Sequence, residues 1–245
     1  LAAGLLIGTP ALAPPTMRFD IITLFPELFA PFLASGVTRR AYASGQVDVR
    51  LWNPRDHAEG NYRRVDDRPF GGGMGQVMKC QPVLDALHSV KTEQSYTMMM
   101  APAGHPYTQK KAHELAAKEH LILLCGHYEG LDARINEEVD ELVSIGDYVL
   151  TGGELASMVI MDSVIRLLKG SITEGSTEEE SYENGLLEYP QYTQPADYQG
   201  KKVPEILLSG NHAKIKEWRL EQSILLTKKE RPDLFEKHEF TKEEQ

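Results

Sequence analysis

Strand-like and helix-like segments alternate along the chain from Met17 to Gly170, and this alternation constrains the fold more than any other feature of the sequence. Short apolar runs rich in β-branched and aromatic residues predict strands, and longer runs with helical spacing predict helices. The predicted strands are Arg18–Leu24, Val47–Trp52, Tyr96–Ala101, Leu121–Gly126 and Glu141–Ile145, and the predicted helices are Val37–Ser44, Val83–Val90, Thr108–Glu119, Leu131–Glu138 and Glu154–Leu168. Strands that alternate with helices indicate an α/β fold with a mostly parallel sheet.

The pattern stops after Gly170, which predicts a second, smaller unit. Residues Ser171–Glu183 carry five glutamates and almost no large apolar side chain, as is typical of an exposed linker. Asn211–Thr227 then has the spacing of an amphipathic helix with an Asn cap. We therefore expect an α/β domain at 17–172, a flexible acidic linker at 173–181 and a small, mainly helical domain at 182–245. Residues 1–16 are expected to be an upstream extension or a cloning remnant.

Charge and cysteine content narrow the setting in which the protein works. A formal net charge of −10 makes binding to nucleic acid through global charge unlikely, so such binding requires a local basic patch. Eight Lys and Arg residues outnumber four Glu between Lys201 and Arg231, which predicts either a solvated helix face or an RNA-facing surface. Cys80 and Cys125 lack CxxC partners, and no apolar run approaches the ~20 residues that cross a bilayer. These features predict a cytoplasmic protein with no membrane partner.

Three glycine-bearing loops follow predicted strands and predict a small-molecule site. They are Pro102–Gly104, Cys125–Arg134 and Ser144–Glu154. Ligands of open α/β sheets bind beyond the carboxyl ends of the strands, which is where these loops begin. Taken singly, each loop is equally explained as a tight turn or a helix cap. His127 reads more readily as a structural residue than as an acid or base, Cys125 as a buried small hydrophobe, and no metal-ligand spacing such as HExxH occurs.

A further glycine-rich segment, Val65–Gln76, has the sequence VDDRPFGGGMGQ. Its glycines allow positive φ and close approach to a ligand. It is not a dinucleotide fingerprint, because Gln76 stands where the last glycine of GxGxxG would be, and it lacks the Gly-Lys-Ser/Thr ending of a P-loop. From composition alone, a flexible turn explains it equally well.

The ordered motifs of the chain resemble those of the bacterial tRNA (guanine-N1-)-methyltransferase (TrmD) family, within the SPOUT (SpoU–TrmD) class of knotted methyltransferases. The motifs are FDIITLFPELF, WNPRD, VDDRPFGGG, CGHYEGLDAR, SIGDYVLTGGEL, GLLEYPQYTQP and VPEILLSGNHAKIKEWR, and they span Met17 almost to the C-terminus. The resemblance implies a parallel α/β domain with a C-terminal deep trefoil knot, which binds S-adenosyl-L-methionine. It also implies a homodimer with an active site shared between subunits, acting on tRNA at the guanosine 3′-adjacent to the anticodon, position 37.

The resemblance also implies residue roles. The cofactor-binding residues would be Met100, Ala101, Pro102, Gly104, Gly126, Tyr128, Glu129, Gly130, Ile145, Gly146, Tyr148, Leu150, Gly152 and Gly153. The tRNA-binding residues would be Asp66, Asp67, Arg68, Gly71, Gly72, Gly73, Lys214 and Arg219. No metal ligand is implied, and the site of any assisting divalent ion is unknown.

The catalytic pair implied by the resemblance falls on Glu180 and Arg166, with Glu180 standing where the family has Asp. Guanine N1 carries a proton at neutral pH, so its methylation requires a general base while negative charge develops on O6. Glu180 would be that base, and the always-charged, planar guanidinium of Arg166 would stabilise O6. The alternatives are a non-catalytic RNA-binding protein and a knotted methyltransferase for another RNA site.

Overall fold

The computed structural model describes residues 15–172, 175–242 and 244. Its strands are β1 (Met17–Ile22), β2 (Val47–Trp52), β3 (Asp66–Asp67), β4 (Val77–Met78), β5 (Ser95–Pro106), β6 (His120–Leu124), β7 (Glu141–Ser144), β8 (Asp197–Tyr198) and β9 (Lys201–Lys202). Its α-helices are α1 (Phe29–Ala34), α2 (Arg39–Ala43), α3 (Cys80–Val90), α4 (Gln109–Ala116), α5 (Glu154–Ile165), α6 (Glu205–Leu208), α7 (His212–Glu230) and α8 (Pro232–Lys237). The chain divides into two compact units, Leu1–Thr173 and Glu174–Gln245.

A five-stranded parallel sheet forms the centre of the first unit, with the strand order β2-β1-β6-β5-β7. This arrangement confirms the prediction of a parallel α/β fold, and all five predicted strands occur. Successive residues of β6 contribute to two different apolar clusters, because side chains of a strand alternate between the faces of the sheet. Leu121 and Leu123 pack in a cluster with α4 and α5, whereas Ile122 and Leu124 pack in a cluster with α3. Both faces of the sheet are therefore covered, as parallel sheets require.

One acidic side chain is buried inside this sheet. Asp20 of β1 is 0% exposed, and its carboxylate accepts hydrogen bonds from Trp52 Nε1 at 2.7 Å and from His120 Nε2 at 2.6 Å. Arg18 Nε lies 2.8 Å from the same carboxylate. A buried charge is tolerated only when it is paired and hydrogen-bonded, and these partners meet that condition.

The structure differs from the sequence predictions at several elements. Helix α1 was not predicted, and the predicted helix Val37–Ser44 is only the short α2. The predicted helix Leu131–Glu138 is a 3₁₀ helix over Ala133–Glu138, and Asp132 caps it by accepting a hydrogen bond from Arg134 N. Strand β5 continues to Pro106 rather than ending at Ala101. The short hairpins β3–β4 and β8–β9 were also not predicted.

The second unit contains α6, α7 and α8 with the β8–β9 hairpin. The predicted Asn-capped helix is confirmed, since Asn211 Oδ1 accepts a hydrogen bond from Lys214 N at 3.2 Å, and the helix ends at Glu230. Within the described ranges, no helix is both long enough and apolar enough to cross a membrane. Residues 1–14 of the expected extension, and residues 173 and 174 of the expected linker, lie outside the described part.

Candidate active site

The first loop of the site interrupts the pairing of β5 with β7. Met100 pairs with Val143, and His105 then pairs with the same residue, so that the four residues between them leave the ladder. We call residues 101–104 the Pro102 loop. Gly104 closes this loop directly against the backbone of Val143, where a Cβ would collide with main-chain atoms. The sequence therefore needs glycine at 104 to return the chain to the sheet.

The second and third loops follow β6 and β7 and are joined to each other. We call residues 126–130 the His127 loop and residues 145–153 the Gly152 loop. Gly153 N donates a hydrogen bond to Gly126 O at 3.0 Å, and His127 forms an isolated antiparallel bridge with Gly152. Tyr128 has a φ of 60°, a left-handed conformation that a non-glycine residue seldom adopts. The two loops form one hydrogen-bonded wall at the carboxyl edge of the sheet.

The three loops enclose a cavity of about 490 Å³, a size typical of small-molecule and cofactor sites. The cofactor-binding residues predicted from the sequence all line it except Gly104, whose role is the turn described above. The lining also includes Met99, Ala103, His127, Leu131, Ala133, Asn136, Leu142, Val143, Ser144, Val149, Thr151 and Ala156. Asn136 was missed because it lies on the 3₁₀ helix, which no spacing pattern in the sequence marks as part of a site.

A buried hydrogen-bond cluster lies behind the wall formed by these loops. Glu154, the first residue of α5, is 2% exposed and accepts a hydrogen bond from Thr23 Oγ1 at 2.7 Å. Its other carboxylate oxygen lies 2.6 Å from His127 Nε2. We call Thr23, His127 and Glu154 the Glu154 cluster. This cluster was not predicted, because its members are 27 to 131 positions apart in the sequence.

Cys125 is the buried side chain that the sequence analysis expected. It is 2% exposed, and its sulfur lies 3.1 Å from Ser157 Oγ. Burial, with a smaller effect from the nearby Glu154 carboxylate, raises the pKa of the Cys125 thiol far above its ordinary value. The thiolate form that a nucleophile requires is therefore suppressed.

The glycine-rich segment forms an exposed loop whose base is bonded to the His127 loop. β3 and β4 close it as a short hairpin, which places Asp66 and Asp67 at its start. Gly71, Gly72, Gly73 and Gly75 all have positive φ, so the loop shape depends on glycine. Glu129 N donates to Gln76 O at 2.9 Å, and Met78 N donates to Gly130 O at 2.9 Å. Arg68 is exposed, as are the three glycines predicted to contact tRNA.

The two predicted catalytic residues belong to different units of the chain. Arg166 is the half-buried C-cap residue of α5 in the first unit. Glu180 is half-buried in the second unit, among turns that include hydrogen bonds from Tyr189 Oη to Glu179 Oε2 and from Glu188 N to Ser181 Oγ.

Two of the predicted tRNA-binding residues lie on α7. Lys214 is exposed in its first turn. Arg219 is half-buried, and its guanidinium lies 4.7 Å from the centroid of the Tyr189 ring in a cation–π contact. Across the described residues, no group of three or more His, Cys, Asp or Glu side chains is arranged to hold a metal ion.

The fold and the cavity define an α/β protein with a cavity beyond the carboxyl ends of parallel strands, where many nucleotide-binding and cofactor-binding enzymes hold their ligands. Comparison with known families makes this class specific. The model of the family described as tRNA (Guanine-1)-methyltransferase TrmD matches residues 17–237. The chain therefore belongs to this family of enzymes, and the resemblance inferred from its motifs is confirmed.

Individual relatives agree with the family match, and each is named tRNA (guanine-N(1)-)-methyltransferase. The protein of Ruminiclostridium cellulolyticum is 54% identical over 226 residues, which cover 90% of this chain and 97% of the relative. The protein of Halalkalibacterium halodurans is 52% identical over 94% of this chain and 95% of its own length. The protein of Geobacillus kaustophilus is 50% identical over 92% and 94%, respectively.

Proposed function

We propose that the protein transfers the methyl group of S-adenosyl-L-methionine to N1 of the guanosine 3′-adjacent to the anticodon of tRNA, at position 37. The observation that carries the proposal is the cavity formed by the Pro102, His127 and Gly152 loops, in a chain that belongs to the TrmD family. The proposal extends the family's general activity to a donor, an acceptor atom and a set of residues.

The cavity has the chemical character that S-adenosylmethionine requires. Leu131, Ile145 and Leu150 supply apolar wall for an adenine ring, and the glycine-rich backbone supplies N–H and C=O groups for its polar edge. A Cβ on Gly152 would collide with the His127 ring, and one on Gly153 would approach Cys125 Cα to 2.8 Å. The cavity therefore keeps its shape only with glycine at these positions. When bound, the cofactor supplies an electrophilic methyl group carried on a sulfonium.

The chain's own residues would perform the proton and charge chemistry. The carboxylate of Glu180 would accept the proton from guanine N1, which converts N1 into a nucleophile. The Arg166 guanidinium would donate hydrogen bonds to O6 as negative charge develops there. Arg suits this role because its charge does not depend on pH in the physiological range.

Recognition of tRNA would use both units. The exposed Arg68 and the glycine loop at 71–73, with Asp66 and Asp67 beside them, would contact the anticodon loop, while Lys214 and Arg219 of α7 would contact the RNA from the helical domain. Lysine and arginine contacts to phosphate supply most of the affinity of such surfaces. On this proposal the α/β domain at 17–172 would hold the cofactor and contact the anticodon loop, and the helical domain at 182–245, joined to it by a linker, would add further contacts to the RNA.

We further propose that the protein is a cytoplasmic homodimer whose active site is shared between subunits, and that the α/β domain contains the trefoil knot of its class. Leu155 and Val159 support the dimer, because these apolar side chains lie one turn apart on α5 and are 58% and 45% exposed. An exposed apolar stripe on such a helix is typical of a surface that packs against a partner.

The test is methyl transfer from labelled S-adenosylmethionine to two matched tRNA transcripts, one with guanosine and one with adenosine 3′ of the anticodon. We expect incorporation only into the guanosine transcript. Equal incorporation into both transcripts would assign the activity to another RNA site. No incorporation into either, with the cofactor still bound, would indicate a non-catalytic RNA-binding protein.

A further inference from the structure

The Glu154 cluster joins three separate parts of the first unit at one carboxylate. Thr23 follows β1, His127 lies in the loop after β6, and Glu154 begins α5. Each carboxylate oxygen has a partner, Thr23 Oγ1 at 2.7 Å and His127 Nε2 at 2.6 Å. An ionised carboxylate only accepts hydrogen bonds, so His127 Nε2 is the donor in this contact.

The burial of this carboxylate requires a compensating reason. Transferring a carboxylate from water into the protein interior is costly unless it is fully hydrogen-bonded, and an apolar residue would fill the same space without that cost. Two features offset the cost here. Both oxygens are paired, and the position in the first turn of α5 places the negative charge at the positive end of the helix dipole.

The contact with His127 acts directly on the wall of the cavity. His127 lines the cavity, whereas Glu154 does not and lies behind it, against the His127 ring and close to Gly152. The ring of Phe25 makes an edge-on contact with the His127 ring at a centroid distance of 4.7 Å. Gly152 passes so close to the His127 ring that a Cβ there would overlap it. The ring orientation is therefore set by three neighbours.

We propose that Glu154, with Thr23, is a positioning residue for cofactor binding. The buried carboxylate fixes the His127 ring, and the ring fixes the backbone of the His127 loop and the path of the Gly152 loop. The three loops contain six glycines, and Tyr128, Tyr148 and Val149 are exposed rather than packed. Hydrogen bonds to the Glu154 carboxylate therefore supply order that the cavity needs before a ligand enters. The identity of the ligand in this inference rests on the proposed function. The predicted effect of Glu154 on the order of the loops is independent of that identity.

The first experiment measures loop order in the free protein by hydrogen–deuterium exchange. We expect the peptide that covers residues 126–131 to exchange faster in Glu154→Gln and in Thr23→Val than in the wild type. Thr23→Ser retains the hydroxyl and should restore wild-type protection. Glu114→Gln makes the same chemical change at an exposed position of α4 and should leave this peptide unchanged. Equal exchange in all five proteins would refute the positioning role.

The second experiment measures binding of S-adenosylmethionine by calorimetry without tRNA. We expect Glu154→Gln and Thr23→Val each to raise the dissociation constant about tenfold, the range in which one hydrogen bond to a charged group changes an equilibrium. In turnover assays the KM for the cofactor should rise while kcat at saturation stays near the wild-type value. If His127 transmits the effect, adding Glu154→Gln to His127→Ala should weaken binding little further.

The outcomes separate the two proposals. Absence of cofactor binding by the wild type would refute the proposed function, whereas the exchange experiment would still decide the positioning role. Wild-type binding with unchanged affinity in Thr23→Val and Glu154→Gln would refute the positioning role alone. If Glu154→Gln fails to fold, the comparison of Thr23→Val with Thr23→Ser provides the same decision.

Discussion

Two glycines of the cavity are predicted to respond very differently to the same substitution. A Cβ added at Gly153 would lie 2.8 Å from Cys125 Cα. Cys125 directly follows β6 and is buried, so this main-chain atom is not free to move away. A Cβ added at Gly126 would meet only the tip of the Leu131 side chain, which is able to rotate away. Gly153→Ala should therefore move the start of α5, whereas Gly126→Ala should be absorbed locally.

The magnitude follows from the contact distance. Ordinary contacts of a Cβ begin near 3.4 Å, so relieving the 2.8 Å contact requires α5 to shift by about 0.6 Å at its first turn. Overpacking of this kind costs about 1–3 kcal/mol, and for a unit of this size the melting temperature falls by about 2–4 °C for each kcal/mol. The shift also strains the hydrogen bond from Gly153 N to Gly126 O, which joins the Gly152 loop to the His127 loop.

The assay combines thermal unfolding of each variant with calorimetric binding of S-adenosylmethionine. We expect Gly153→Ala to lower both the melting temperature and the cofactor affinity, and Gly126→Ala to retain a melting temperature near that of the wild type. A Gly153→Ala variant that is as stable and binds as tightly as Gly126→Ala would show that main-chain crowding at α5 does not shape the cavity.

Three further predictions concern other sites. Glu180→Gln should lower single-turnover methylation by about 10²–10⁴-fold, the usual contribution of a general base, while calorimetric cofactor affinity is unchanged; unchanged methylation would remove Glu180 from the mechanism. Asp20→Ala should reduce the free energy of unfolding of the first unit by about 3–5 kcal/mol in urea titrations, because it leaves buried donors without their acceptor, and a loss below about 1 kcal/mol would contradict this account. Burial raises the pKa of Glu141, but hydrogen bonds from Tyr96 and Lys111 outweigh it and hold the pKa below the ordinary 4.5. The folded state holds this proton less tightly than the unfolded state, so the stabilisation is complete above pH 4.5 and is lost as the pH falls below it. In that pH range the urea midpoint of Glu141→Gln should therefore depend less on pH than the midpoint of the wild type.

The central sheet was predictable from the sequence because burial on both faces leaves a strong local pattern. The strand over His120–Leu124 is buried at every position, and Leu121–Leu124 is a continuous apolar run. Helix α7 was predictable for a different reason, since the cap residue Asn211 marks its start. The Ala133–Glu138 segment was assigned to an α-helix because apolar spacing does not distinguish an α-helix from a 3₁₀ turn held by one Asp cap.

The polar clusters could not be predicted, because they join residues that are close only after folding. Asp20 pairs with His120 across 100 positions, and Thr23 pairs with Glu154 across 131. Read locally, Glu154 is a favourable acidic residue in the first turn of a helix, and nothing near it in the sequence indicates that it is buried. The positions of the cavity loops were predictable because glycines and strand ends are visible in the local sequence. The groups that hold those loops in place leave no such local pattern.

The loops of the cavity and the polar groups that hold them are found together for a physical reason, which lies in the composition of the cavity wall. Glycine permits the close approaches seen at Gly104, Gly152 and Gly153, but it contributes no side chain to pack and loses more conformational entropy on folding than any other residue. A wall rich in glycine must therefore gain its order from elsewhere. Backbone hydrogen bonds between loops supply part of it, and the buried Glu154 carboxylate supplies a fixed point that an apolar side chain, lacking directional contacts, does not provide. A polar residue that is costly to bury thus accompanies the glycines that open the cavity.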